Sequence, residues 1–175
     1  MSLFVSQEER EYKLPSEGMC SAVCVDVADL GEELNPFSQK VRHICRIVWE
    51  IDEAHPDYHR PFEVSNRYTV SLFEKSNLRK MLATWRGRDF TAAELKGFDL
   101  EKLIGVSCQV QIQHRTSAKG RTFANVVAVV PLGKGMRALG VSPSYKRAKD
   151  RDGYKPPLPA SNEAPADVGE DDIPF

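Results

Sequence analysis

The hydrophobic pattern of this chain changes its period twice, and the order of these changes limits the folds that the chain can adopt. Apolar and polar residues alternate with a period of two in 21–30, 41–51 and 62–73, which is the pattern of strands with one buried face. A helical period follows in 78–85, and alternation returns in 106–114 and 122–132. The sequence therefore predicts three strands, then short helices, then two strands.

The parity of each predicted strand indicates which side chains face the core. In the first strand Val23, Val25 and Val27 share one face, and Cys24, Asp26 and Ala28 share the other. The predicted inward positions of the later strands are Val41, His43, Cys45, Ile47, Trp49 and Ile51, then Val64, Tyr68, Val70 and Leu72, then Val106, Cys108, Val110 and Ile112. The opposite faces carry arginines, hydroxyls and glutamines.

The predicted helices have recognisable ends. Leu78, Met81, Leu82 and Trp85 recur at helical spacing, and Gly87 is expected to cap that helix. Thr91 with Glu94 forms the pattern of a capping box at the start of a second helix, and Asp99 is expected to open a third that closes at Gly105.

This order favours a mainly β fold with short helices. Three strands, helices and two further strands is the chain order of an oligonucleotide-binding (OB) fold, a five-stranded barrel whose helices lie between strands 3 and 4. Another small α+β barrel or sandwich is the main alternative. A chain of 175 residues with 41% apolar content is expected to form one such domain and a tail.

We predict a domain over 1–140, a linker over 141–169 and an acidic tip over 170–175. The predicted linker is rich in proline and poor in apolar clusters, with Pro143, Pro156, Pro157, Pro159 and Pro165. Such a composition is typical of disordered segments, because it buries too little surface to offset the entropy of ordering.

The tip reads Glu170-Asp171-Asp172-Ile173-Pro174-Phe175. Pro174 biases Ile173 toward an extended backbone, so that Ile173 and Phe175 are suited to a shallow apolar pocket with a basic rim. Its last five residues match those at the end of bacterial single-stranded DNA-binding proteins, and the tip resembles that family. The resemblance implies that Asp171, Asp172, Ile173, Pro174 and Phe175 bind host replication, recombination and repair proteins.

The body is similar to a phage-encoded family of small replication-associated proteins. The segments that carry this similarity are Lys40-Val41-Arg42, Arg67-Tyr68-Thr69, and Leu78-Arg79-Lys80 followed by Trp85-Arg86-Gly87. Known relatives in tail and fold are monomers, dimers or tetramers, so the resemblance leaves the oligomeric state open.

Charge is unevenly distributed along the chain. Residues 1–162 hold 24 basic and 20 acidic residues, a net charge of about +4, whereas every charged residue beyond them is acidic. A mildly basic body with an acidic end suits a protein that binds a polyanion.

A single-strand binder needs cations for phosphates and exposed aromatic rings for bases. The predicted nucleic-acid-binding residues are Arg42, Arg46 and Arg67 on strands two and three, Lys119 and Arg121 on the hairpin tip, and the aromatic residues Phe73 and Phe123. Trp49, Tyr68 and Trp85 occupy core-facing positions and are interpreted as packing residues.

The sequence offers little for catalysis. Gly133-Lys134-Gly135 lacks the residues of a phosphate-binding loop, and Asp26, Asp29, Glu32 and Glu33 have no spacing typical of a two-metal site. Four scattered cysteines are expected to be buried thiols, although a contact between Cys20 and Cys24 is left open. We expect no cofactor, no metal and no enzymatic activity.

The sequence thus predicts an OB-like single-stranded DNA-binding protein, phage-encoded and cytoplasmic in a bacterial host. It has no apolar run of membrane-spanning length. The alternative is an adaptor or decoy that binds host proteins through the tail without binding DNA. DNA and RNA are not distinguished by these features.

Overall fold

The computed structural model describes residues 13–156. It contains five strands, β1 (Gly18–Leu34), β2 (Val41–Ala54), β3 (Pro61–Thr69), β4 (Ser107–Thr116) and β5 (Thr122–Val130). Two α-helices, α1 (Asn77–Arg86) and α2 (Ala92–Leu95), and a 3-10 helix at Leu100–Leu103 lie between β3 and β4, and a second 3-10 helix covers Ala148–Asp150. The predicted order of three strands, helices and two strands is confirmed. The tip and residues 157–169 lie outside the described residues.

The five strands form one antiparallel sheet in the order β3-β2-β1-β4-β5. The long first strand joins the two halves, because its first six residues pair with β4 while Ala22 to Leu34 pair with β2. The sheet edges, β3 and β5, approach each other, and Asn66 Nδ2 of β3 donates a hydrogen bond to the Val126 carbonyl of β5 over 3.5 Å.

The first strand departs from the predicted alternation. A register shift between Cys24 and Asp26 inserts Val25 as an extra residue, which makes a β-bulge. Cys24 and Val27 consequently both belong to the core side, opposite Trp49 and Ile47 of β2. The prediction that Val23, Val25 and Val27 share one face is therefore wrong beyond the bulge.

The core lies between one face of the sheet and α1. Trp49 of β2 packs near Trp85 of α1, with ring centroids 6.1 Å apart. The prediction that the aromatic residues Trp49, Tyr68 and Trp85 are packing residues is confirmed by their burial. Other predicted inward residues that are buried are Cys45, Ile47, Ile51, Val64, Cys108, Val110 and Ile112.

Some predicted inward residues are exposed because they lie at strand ends. Val41 begins β2, and Val106 precedes β4. The third strand ends at Thr69, earlier than predicted, so Val70 is also exposed.

The predicted helix end at Gly87 and the predicted starts at Thr91 and Asp99 are confirmed. The third element is a 3-10 helix capped by Ile104, one residue before the predicted Gly105. Gly87 ends α1 in the left-handed region with φ 72°, where a side chain is disfavoured. Thr91 and Glu94 form the capping box of α2, and the Asp99 side chain caps the 3-10 helix that follows.

Residues 142–151, which we call the strap, are held against the face of the sheet opposite the core. The Ser142 backbone N–H donates to Glu50 Oε1 over 2.8 Å, and Arg147 Nε donates to Asp26 Oδ1 over 3.0 Å. The sequence predicts a linker from residue 141, whereas these residues dock on the body. Polar contacts to buried carboxylates hold them, and apolar patterning gives no sign of such contacts.

Among residues 13–156, no helix is long and apolar enough to cross a membrane.

Candidate nucleic-acid interface

Two of the predicted arginines form a cross-strand pair. Arg46 of β2 and Arg67 of β3 are direct partners in the antiparallel register, and both are exposed. Partners in such a register project on the same face, which here is the face opposite the core. Arg67 forms an ion pair with Glu33, whereas no residue in the described part of the chain forms an ion pair with Arg46.

The third predicted arginine lies nearby. Arg42 is the register partner of Glu33 and lines a small depression together with Arg67 and Thr69. The structure therefore brings Arg42, Arg46 and Arg67 to one region. It also adds an acidic neighbour, Glu33, which sequence reasoning did not assign to this surface.

A polar cleft opens between the two sheet edges. This β3–β5 cleft, of about 400 Å³, is lined by Asn66, Arg67, Tyr68, Asn77, Lys80, Met81, Thr84, Arg115, Asn125 and the β5 residues 126–129. Three of these described residues are cations and none is a carboxylate. The cleft is therefore a favourable place for an anion, and Arg67 links it to the arginine pair.

Two of its cations were missed by sequence reasoning. Lys80 lies on α1 on the side opposite the buried Leu78 and Leu82, so its exposure follows from the helical period. Arg115 continues the outward series of Gln109, Gln111 and Gln113 along β4. Arg115 could have been found from the same strand parity that indicated the arginines of β2 and β3, and Lys80 from the period of α1.

The β4–β5 hairpin carries the other predicted contacts. Phe123 is the register partner of Arg115 and is 42% exposed, but it does not line the β3–β5 cleft. The turn that joins these strands holds the exposed Lys119 and Arg121, and the Gly120 N–H donates to the Ser117 carbonyl over 2.9 Å. Lys119 and Arg121 extend the cationic surface beyond the cleft, but they do not line it.

Phe73 is not brought to this cleft. Because β3 ends at Thr69, Phe73 lies in the loop before α1, where its N–H donates to Ser71 Oγ over 3.1 Å. The ring is 45% exposed but is not among the residues that line the β3–β5 cleft. Phe73 was predicted to contact nucleic acid because strand parity turned it outward, and this parity does not apply because Phe73 is not on a strand.

Two other aromatic rings are more exposed, and both lie on loops of the same sheet. Phe37, in the β1–β2 turn, is 85% exposed, and its N–H donates to Asn35 Oδ1 over 2.9 Å. Tyr58, in the β2–β3 turn, lies under Arg60, whose guanidinium carbon is 5.2 Å from the ring centroid. The sequence could have indicated that these two rings are exposed, because both residues lie between predicted strands.

The four cysteines are free thiols, and three of them are buried. Burial raises the pKa of Cys20 to about 11 and the pKa of Cys24 to about 12, so both remain protonated near neutral pH. The Cys20 Sγ lies 3.8 Å from the Val110 carbonyl, and the Cys24 Sγ lies 3.7 Å from the Asp26 carbonyl. Within residues 13–156, no group of His, Cys, Asp and Glu side chains is arranged to hold a metal ion.

Comparison with known protein families finds no family model that matches this chain, and comparison with curated proteins finds no relative. The site must therefore be interpreted from its own geometry and charge.

Proposed function

We propose that this protein is a non-catalytic single-stranded DNA-binding protein of bacteriophage origin. It protects single strands in the cytoplasm of the bacterial host. Through residues 171–175 it recruits host proteins of DNA replication, recombination and repair. The observation that carries the proposal is the cationic β3–β5 cleft with the adjoining Arg46–Arg67 pair.

An OB-fold barrel is the architecture that we propose for this function. The strand order, the β1 strand shared by both halves of the sheet and the position of α1 between β3 and β4 support it. The contact between Asn66 and Val126 supports closure at the β3 and β5 edges.

The chemistry of the surface suits a single strand. Arg46, Arg67, Lys80 and Arg115 offer charge to successive phosphates, and Phe123 offers a ring face to a base, where stacking contributes roughly 1–3 kcal/mol. Asn66 and Asn125 line the same cleft and present amides that hydrogen-bond phosphate or base.

Fluorescence anisotropy of a labelled thymidine 30-mer tests the proposal. A label on the DNA is preferable to intrinsic fluorescence, because Trp49 and Trp85 are buried away from the surface. If about three to five phosphates are neutralised, the logarithm of affinity falls against the logarithm of salt with a slope of about −2 to −4. An affinity that is independent of salt, or equal affinity for duplex DNA, contradicts the proposal.

The alternative is an adaptor or decoy that binds host proteins through its tail alone. It predicts that the 30-mer is not bound while host proteins that recognise the tail are still captured.

Mass measurement with and without the 30-mer in the same experiment gives the oligomeric state and the stoichiometry.

A further inference from the structure

A second cleft lies where the strap meets the sheet. This strap cleft, of about 200 Å³, is lined by Asp26, Ala28, Arg46, Val48, Glu63, Val64 and Ser65 from the sheet and by Tyr145, Ala148 and Arg151 from the strap. Arg46 therefore has two sets of neighbours. It stands opposite Arg67 on β3, and it lines the strap cleft together with Tyr145, Ala148 and Arg151.

The two carboxylates of this cleft differ, because Asp26 is hydrogen-bonded to the strap and Glu63 is not. Asp26 is 1% exposed and accepts hydrogen bonds from Arg147 Nε over 3.0 Å, from the Tyr145 hydroxyl over 3.1 Å and from the Ala148 N–H over 2.7 Å. Arg46 and Arg151 then face a single further carboxylate, Glu63. The lining holds two arginines and two carboxylates, and Arg147 pairs with both Asp26 and Glu101, so the formal charges balance. Glu63 is the one lining carboxylate that the described strap residues do not bind.

Arg151 is held in place before any ligand arrives. Its Nε donates to the Lys146 carbonyl over 2.9 Å, and its guanidinium carbon lies 5.6 Å from the centroid of the Tyr145 ring. Among the described residues, Arg151 has no ion pair with a carboxylate. Prior ordering lowers the entropy that binding costs.

The strap is a fixed wall of this cleft. Besides Asp26, Arg147 binds Glu101 through two hydrogen bonds of 2.7 and 2.8 Å, and Ser142 is held by Glu50. The strap therefore presents Arg151 at a defined place opposite Arg46 and the Ser65 hydroxyl.

We propose that the strap cleft is a subsite for one backbone phosphate of a bound single strand, held between Arg46 and Arg151. The proposal rests on the proposed DNA-binding function and adds the strap to the interface. Because Arg46 also pairs with Arg67, the strand would run from the strap cleft across the arginine pair toward the β3–β5 cleft.

The test compares Arg151→Ala with Lys96→Ala in the anisotropy titration with the thymidine 30-mer. Both variants lose one exposed cation, but Lys96 lies at the end of α2 and lines neither cleft. Arg151→Ala is expected to weaken binding roughly fivefold and to reduce the salt slope by about 0.7. Lys96→Ala is expected to bind as the wild type does, and Arg151→Lys is expected to retain most of the affinity.

A double variant tests whether both arginines hold the same phosphate. The affinity lost by Arg46→Ala/Arg151→Ala should be smaller than the product of the two single losses, because the first change already removes the shared ligand. Glu63→Gln should strengthen binding, since it removes the remaining negative charge. Thermal midpoints measured for all variants test whether they are folded.

The contrary outcomes separate this inference from the proposed function. If Arg67→Ala weakens binding while Arg151→Ala leaves it unchanged, the strap subsite is wrong and DNA binding stands. Tighter binding by Arg151→Ala also overturns the subsite, because it means that the strap obstructs the strand. A wild-type protein that does not bind the 30-mer overturns both.

Discussion

Arg46 and Arg67 face each other directly across the antiparallel pair of β2 and β3, and only Arg67 has a carboxylate partner, Glu33, among the described residues. Like charges placed directly opposite on neighbouring strands destabilise a sheet. A bound anion removes this repulsion, so the arrangement is better suited to binding phosphate than to stabilising the free protein.

Substitution of this pair should separate binding from stability. Arg46→Ala and Arg67→Ala should each weaken binding of the thymidine 30-mer and reduce the salt slope by about 0.7. Since both side chains are exposed, the free energy of unfolding in urea should change by less than about 0.5 kcal/mol for Arg46 and about 1 kcal/mol for Arg67. Marked unfolding of either variant would show that its guanidinium is structural.

Removal of residues 171–175, which lie outside the described residues, should abolish capture of host proteins that read the tail of bacterial single-stranded DNA-binding proteins. DNA affinity should stay equal or rise slightly, because an acidic competitor is lost. Phe175→Ala should lose the partner but keep the acidic side chains, so it separates the two roles. The measurement is a pull-down of host proteins from bacterial lysate. If the wild type and Phe175→Ala recover the same host proteins in equal amounts, the tip does not bind them specifically.

The buried contact between Asp26 and Arg147 should dominate the attachment of the strap. Arg147→Met leaves Asp26 buried without its cation, and loss of one partner of a buried pair costs about 3–5 kcal/mol. Glu101→Gln is the matched control, because it removes the exposed partner of the same guanidinium and should cost less than about 1 kcal/mol. Urea unfolding measures the free energy of unfolding of both variants. Equal losses would show that the contact with Asp26 does not dominate the attachment of the strap.

Glu94 should make stability depend on pH in the acid range. The Thr91 N–H, together with Arg86 and Arg88, lowers the pKa of Glu94 from its ordinary 4.5 to about 2. A lowered pKa in the folded state contributes stability above pH 4.5 that is lost as the pH falls toward 2. The difference in thermal midpoint between wild type and Glu94→Gln should therefore shrink over this range.

The control for this pH dependence is Glu74→Gln, which changes an exposed carboxyl in the loop before α1. It measures the effect of removing a carboxyl that takes no part in the capping box. A constant difference for Glu94→Gln would contradict the role of the capping box and its two arginines.

The cysteines should be unreactive in the folded protein. Burial raises the pKa of Cys45 to about 11, as it does for Cys20, so little thiolate is present at pH 8. Iodoacetamide at pH 8 should leave all four cysteines unmodified in buffer and modify them in guanidinium chloride, as read by mass spectrometry. Rapid modification of Cys20 in buffer would indicate that β1 and β4 separate readily.

Much of the fold could be predicted from local pattern. The period-two faces of β2, β3 and β4 identify Trp49, Tyr68 and Val110 as core, and helix capping identifies the ends at Gly87 and Thr91, because these signals act over a few neighbouring residues. The bulge at Val25 could not be predicted in this way. It depends on how β1 must bend to pair with two partners.

The sequence by itself determined the order and type of the elements, the exposed sides of Arg46 and Arg67, and the acidic tip, since alternation, capping and composition are local properties. Only the tertiary structure decided that Arg46 stands opposite Arg67, that Lys80 and Arg115 line the same cleft, and that Arg147 reaches Asp26. These relations join residues up to 121 positions apart. They follow from strand register and packing, which no short window of the sequence contains.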